Sequence, residues 1–296
     1  LRHTQAPMVV LNLCDGIDQV GTPGLSVVKA LTAAGLPYSG AEAAFYANST
    51  SKLLTKKQLR SAGVDIGPCV VIEDLQRDPQ RAADEIGFPL FVKPDISSGS
   101  FGIGLDSVCH DIPSILRKVA LLRKETYFEG NAIFAEPFVI GREFTALVVE
   151  DENEPQGLFV LPSGERVFDK RVPKEERYLI YERYWNLPEE SRPIPASDPY
   201  YWYASVPGSL GNEIADLARR VMRAVQGNGY ARIDLRQSEK TGHFHVLEVN
   251  AQCGLSQHES STCGSLLELS GRKMATLMER ILNHALRRGA PDGGVL

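Results

Sequence analysis

The sequence predicts an α+β fold, or α/β with more than one sheet. Segments of helical period alternate with segments of strand period, and the late strands pair as hairpins around short polar turns. Of 296 residues, 43% are hydrophobic and 23% charged, close to the averages for globular domains, so a sizeable core can form. At roughly 150 residues per domain, that length suggests about two domains.

The elements follow in order. Residues 7–14 (PMVVLNLC) are apolar and β-branched and read as a buried strand. Residues 25–34 read as a helix stopped by Gly35, and residues 36–40 as a short extended link. A second helix, residues 52–62, has a basic face and is closed by Gly63. Residues 69–72 read as a strand, 79–86 as a helix, and 89–93 as a strand running into a Ser/Gly-rich loop. A helix over 113–124 and strands over 131–136 and 143–150 come next, the last with clear period-2 alternation. Residues 151–208 are rich in proline and aromatics and carry no regular signal. Residues 211–226 form an amphipathic helix, 230–236 and 243–249 paired strands around a turn at 239–242, and 266–287 one closing helix or two. Composition places boundaries near residues 48 and 130. The units are then 1–47, a partial N-terminal α/β segment, a central 48–130, and a C-terminal 131–296.

Charge and cysteine usage narrow the class. Lys and Arg total 32 against 37 Asp and Glu, a net −5 with no basic block, which argues against a nucleic-acid binder. Apolar runs such as residues 146–149 fall far short of the ~20 residues of a membrane span, so no membrane partner is expected. The five cysteines are odd in number and scattered, which disfavours a disulfide framework or a thiolate zinc site and suits reduced thiols in the cytoplasm. The first residues lack an apolar signal core, and a chain starting at Leu1 reads as a fragment or a processed form.

Three constellations carry chemistry. In the first, Phe91-Val92-Lys93-Pro94 leads into Ser97-Ser98-Gly99-Ser100-Phe101-Gly102, small residues whose backbone N–H groups can approach a polyphosphate while the lysine adds a charge. Alone, it also reads as a surface loop. In the second, Glu136-Pro137-Phe138-Val139 precedes Gly141-Arg142-Glu143, offering backbone groups to an adenine edge or forming an ordinary strand pair. The third is the strongest. Arg232 and Asp234, and Glu248 and Asn250, stand two apart on adjacent strands and project from one face, while Ile233, Leu235, Leu247 and Val249 face the core. Hard oxygen donors in that pattern suit Mg²⁺. The alternative is a structural Arg232–Asp234–Glu248 network.

In that order, with Lys52 ahead of them and Phe144-Thr145 closing the second, these motifs resemble the ATP-grasp superfamily, and within it the D-alanine–D-alanine ligases. The resemblance implies an ATP-grasp fold, in which the central and C-terminal subdomains clasp ATP behind a shortened N-terminal pre-ATP-grasp segment. It implies that Lys52 and Lys93 contact the ATP phosphates, that Ser98, Gly99, Ser100 and Gly102 belong to the loop closing over them, and that Glu136, Pro137, Phe138 and Val139 form the adenine-binding hinge. Glu143 matches the ribose-binding carboxylate, and Asp234, Glu248 and Asn250 the ligands of Mg²⁺ (or Mn²⁺). Arg232 matches the arginine that steadies an oxyanion, completing a catalytic set with Lys93 and Ser100. Lys170 and Arg171 are alternatives for the γ-phosphate.

The chain departs from the family where the substrates bind. The N-terminal unit is short, and the family's acidic residue and histidine there have no evident match, Asp15 and Asp18 being the nearby acids. Beyond the metal motif, the substrate loop reads Gly254, Ser256, His258 and Glu259, with Glu259 where the family has a serine gripping a carboxylate. A carboxylate there repels another and suits an amine or a hydroxyl. His258 reads as a proton carrier or a hydrogen-bonding wall residue, residues 200–203 (YYWY) as a lid, a partner patch or ordinary packing, and Cys253 as an inert thiol. The expected function is an ATP-dependent carboxylate–amine ligase making a dipeptide or related amide through an acyl phosphate. Its partners would be small carboxylates and amines such as amino acids, and the family's frequent dimers make a homodimer a candidate assembly. The alternatives are a catalytically silent ATP-binding module and an ATP-grasp phosphotransferase.

Overall fold

The computed structural model describes residues 8–154, 156–184, 194–195 and 198–289. Residue 7 of the expected first strand and residues 155, 185–193 and 196–197 of the stretch without regular signal lie outside the described residues. The expected strand at the N-terminus does not form. Residues 8–14 make one isolated parallel bridge, Val10 to Tyr38, and no ladder. Their alternation runs against the expectation, since Leu11 and Leu13 are 44% and 56% exposed while Asn12 is buried. With one neighbour and only Val10 packed on the core, the segment has nothing to complete a sheet.

Helix α1 (Leu25–Ala33) ends before Gly35 as expected. The next helix, α2 (Ala43–Thr50), carries no apolar stripe in sequence and forms by burying Phe45 and Tyr46. α3 (Lys52–Ser61) starts at a true cap, with Ser51 Oγ accepting from the Leu54 N–H at 3.1 Å.

The first sheet contains β1 (Val70–Val71), β2 (Leu90–Pro94), β3 (Val108–Cys109) and β4 (Ile133–Pro137), in the antiparallel order β1-β4-β2-β3. Helices α4 (Asp78–Ile86) and α5 (Ile112–Lys124) close its core, in which Leu90, Val92, Ile115, Val119 and Ala135 are buried. β4 lies beyond the expected division at residue 130, yet it pairs with both β1 and β2. The chain therefore changes sheets after Pro137, within residues 138–140.

The second sheet has the order β10-β9-β5-β7-β8, with β6 pairing on β5. Its strands are β5 (Gly141–Glu150), β6 (Leu158–Val160), β7 (Gly164–Phe168), β8 (Tyr201–Ser205), β9 (Tyr230–Ser238) and β10 (Phe244–Ala251). Three of these, β6, β7 and β8, fall in the stretch expected to be irregular. They are short, three to five residues each, and they become strands because β5 offers an open edge to β6 and β7, and β7 in turn offers one to β8. The one-turn helix α6 (Tyr181–Tyr184) lies there too. The helices α7 (Gly208–Ala224), α8 (Thr262–Ser270) and α9 (Met274–Arg288) complete the fold.

Period 2 divides the faces of this sheet. Phe144, Ala146, Val148, Ile233, Leu235, Val246 and Val249 pack on α1, α2, α3 and α7. On the opposite face, Leu147, Val149 and Tyr230 pack on α8 and α9. Further along that same face the alternation brings up Glu143, Thr145, Arg232, Asp234 and Arg236. No described helix is long and apolar enough to cross a membrane.

Candidate active site

The site forms where that charged stretch meets the first sheet, and Asp95 fixes the join. Asp95 follows β2, and its carboxylate accepts from Ser51 Oγ at 2.8 and 3.0 Å and from the Leu53 N–H at 2.7 Å. The start of α3 is thereby tied to the end of β2, which brings Lys52 beside the Ser/Gly loop. Lys52 Nζ donates to the Ser97 carbonyl at 3.1 Å and to Ser97 Oγ at 3.2 Å, and stands 3.9 Å from Glu248 Oε2. Burial lowers its pKa, against the pull of Glu248.

A second cluster lies alongside. Lys93 Nζ is 2.6 Å from one Glu136 oxygen and Lys56 Nζ 2.7 Å from the other. Burial alone would raise the pKa of Glu136, but the two ammonium groups prevail and hold it at about 2. Lys56 gave no sequence signal beyond the basic face of its helix. The Glu136 side chain thus positions two lysines.

The third constellation assembles on one face. Asp234 accepts from Thr145 Oγ1 at 2.8 Å and pairs with Arg232 at 2.9 Å. Asn250 Nδ2 reaches Asp234 Oδ2 at 3.1 Å and Glu248 Oε1 at 3.2 Å, so the three side chains converge on one point. Arg232 stands 3.7 Å from Glu248, so the ionic network weighed from the sequence is present in the same cluster. Burial would raise the pKa of Asp234, but Arg232 and Arg166 lower it, and it stays ionised. One detail corrects the reading of β10. The register slips between Val246 and Glu248, which makes Leu247 the extra residue of a bulge. Leu247 is therefore half-buried and lines the cleft instead of the core.

Lys52, Lys56, Ser97, Ser98, Glu248 and Asn250 share this cleft, and Asp15, Gly16 and Tyr46 form part of its wall. In the loop beside it, Gly99, Ser100 and Gly102 have φ of 56°, 62° and 81°, and Phe101 and Ile103 donate back to Ser98 and Ser100 at 3.0 and 2.9 Å. Successive left-handed residues of this kind turn backbone N–H groups outward. In the expected hinge, the Phe138 N–H donates to Pro89 at 3.1 Å, and its ring stacks on Phe91 at 5.9 Å.

Other expected residues sit elsewhere. Glu143 is buried between Arg166 and Arg236, the latter at 3.2 Å, with one arginine on each carboxylate oxygen. Arg171 binds Asp169 and Asp198 at 2.8 and 2.7 Å, and Lys170 is exposed. Ser256, His258 and Glu259 are exposed and lie outside the cleft lining, with His258 Nδ1 2.8 Å from Ser260 Oγ. Gly254 faces the Asp15 carboxylate, 4.0 Å from where a Cβ would stand. Burial raises the Cys253 thiol to about 12, which fits the inert reading. Among the described residues, no group of three His, Cys, Asp or Glu side chains could hold a metal. The convergent set has two carboxylates, hard oxygen donors that fit Mg²⁺ when a substrate phosphate completes the shell, and an amide that now turns its Nδ2 to them and would offer its oxygen after a flip.

The chain resembles known proteins along most of its length. An uncharacterized protein of Sinorhizobium fredii (strain NBRC 101917 / NGR234), y4sG, is 28% identical over 288 residues, covering 96% of this chain and 76% of its own. The D-alanine--D-alanine ligase of Psychrobacter sp. (strain PRwf-1) is 24% identical over 252 residues, 85% of this chain and 66% of its own. The crystal structure of the D-alanine--D-alanine ligase from Bacillus anthracis complexed with ATP superposes with a TM-score of 0.64 at 20% identity, covering 89% of this chain and 75% of that one. The chain thus spans about two thirds to three quarters of the length of these relatives. The fold is shared with that Bacillus anthracis structure, which agrees with the ATP-grasp architecture expected from the motifs. Residues 59–283 match the sequence model described as D-ala D-ala ligase C-terminus, and the chain belongs to that family.

Proposed function

We propose that the protein is an ATP-dependent carboxylate–amine ligase that joins amino acids or similar small molecules. One observation carries the reading: Asp234, Glu248 and Asn250 converge on one sheet face, with Lys52 reaching in from α3 to 3.9 Å from Glu248. A purely structural pair needs neither the third donor nor a lysine from a different element.

A substrate carboxylate oxygen attacks the γ-phosphorus of ATP, the bond to the ADP oxygen breaks, and an acyl phosphate forms. The amine nitrogen of the second substrate then attacks the acyl carbon. It loses a proton as the C–O bond breaks, and phosphate leaves. Lys52 and Lys93 offset phosphate charge, and Arg232 faces the oxygen that becomes negative in the tetrahedral step. Asp234, Glu248 and Asn250 would hold Mg²⁺, which when bound supplies further positive charge at the phosphates.

The test is phosphate release from ATP with Mg²⁺ and paired panels of D- and L-amino acids and simple amines. Release that requires one particular pair, and falls by on the order of 10²-fold or more in Glu248→Gln, is the expected result. ATP binding without release would favour the silent module. Phosphate recovered on a substrate hydroxyl would favour the phosphotransferase.

A further inference from the structure

Gln252 stands two residues beyond the last of the convergent oxygen donors and takes no part in that cluster. It is 1% exposed and has φ +58°, a left-handed conformation that disfavours a residue with a Cβ. Its side chain spans to two distant segments. Nε2 donates to the Asn12 carbonyl, and Oε1 accepts from the Ala41 N–H at 3.1 Å. Both partners lie more than 200 residues earlier in the chain. The neighbouring backbone is shaped around this side chain. Gly40 has φ +90°, and a Cβ there would stand 1.6 Å from Gln252 Oε1.

The other anchors of the segment held by Gln252 lie at residues 37–39 and at Tyr46. Val10 bridges to Tyr38, Asn12 N–H donates to Ser39 Oγ at 2.9 Å, Ser39 Oγ reaches the Asn12 carbonyl at 3.4 Å, Tyr46 Oη reaches the Cys14 carbonyl at 3.5 Å, and Asn12 Nδ2 is buried without a partner. Further on, Tyr46 Oη donates to the Gly16 carbonyl at 2.8 Å. Asp15, Gly16 and Ile17 then line the same cleft as Glu248 and Asn250. We propose that Gln252 is a positioning residue: it straps this wall to the strand bearing Glu248 and Asn250, and so sets the width of the cleft for the substrate bound beside the ATP phosphates. The part concerning substrate rests on the ligase reading, and the strap itself does not.

Gln252→Gly tests it, because glycine accepts the left-handed backbone while both side-chain bonds are lost. Hydrogen exchange is read first. Amides of residues 10–16 should exchange about tenfold faster or more, with β9 and α7 unchanged. Under turnover, KM for the carboxylate substrate should rise about tenfold, the worth of one strong hydrogen bond, while kcat and ATP affinity stay unchanged. Gln252→Asn, which tolerates the same backbone but is one methylene too short, should behave alike and decides the matter if the glycine variant fails to fold. Unchanged exchange at residues 10–16 overturns the strap. So does a rise in exchange spread over the whole chain together with weaker ATP binding, which is general destabilisation. A wild-type protein without ligase turnover would sink the function proposed above, and the exchange pattern would still decide the strap.

Discussion

At the scale of single residues, sequence identity and backbone geometry lock together most tightly at Gly40. Its φ of +90° disfavours any side chain, and the space a Cβ needs is filled by Gln252 Oε1. Gly229, with φ +68°, lies against the Gly40 carbonyl from the other side, where a Cβ would come within 2.2 Å. Arg288 caps the same turn by donating to the Gly40 and Tyr38 carbonyls at 3.0 and 2.7 Å. Gly40→Ala should therefore cost about 2–4 kcal/mol in urea denaturation, from combined strain and overpacking. A loss below about 0.5 kcal/mol would mean that the turn can shift to make room. None of this was legible beforehand, because a glycine in a short link looks the same whether its neighbour is solvent or a side chain from 212 positions away.

At the scale of elements, the legible parts were those whose pattern is local. The helices α1, α3, α4, α5 and α7 and the strands β2, β5 and β9 announce themselves by period and caps, and all lie within a few residues of expectation. Much of the candidate site was equally readable, since alternation alone puts Arg232 and Asp234 on one face and Glu248 and Asn250 on its neighbour. What failed depended on partners. The first segment looks like a strand and finds no ladder, while β6 and β7 look irregular and are recruited by the edge of β5, and β8 by the edge of β7. The bulge in β10 is a failure of the same kind: strict alternation sends Leu247 inward, and only the partner strand reveals the extra residue. Stability should separate the two readings. Leu235→Ala, at a fully buried site, should cost about 2–5 kcal/mol, and Leu247→Ala, at the cleft, less than about 1.5 kcal/mol. Equal losses would return Leu247 to the core.

Over the whole molecule, α3 couples the two sheets, because it belongs to both. Its Leu59 is buried in the core of the second sheet, while its Lys56 reaches the Glu136 carboxylate on β4 of the first. Lys93 of β2 holds the other oxygen, so one buried carboxylate joins three elements. Its folded pKa, near 2, is depressed below the ordinary value of 4.5. A depressed carboxylate contributes stability that is complete above its unfolded pKa and is lost as pH falls toward the folded one. The wild-type protein should therefore lose stability between about pH 4.5 and pH 2 as Glu136 takes up its proton. Glu136→Gln leaves two buried ammonium groups without a counter-charge and should lower stability at pH 7 by about 3–5 kcal/mol. It should also flatten the acid limb, which urea denaturation at pH 7, 4.5 and 3 would show directly. If the variant kept the wild-type slope below pH 4.5, the acid sensitivity would belong to other carboxylates, and α3 would be held to the first sheet by packing and the Asp95 contacts alone.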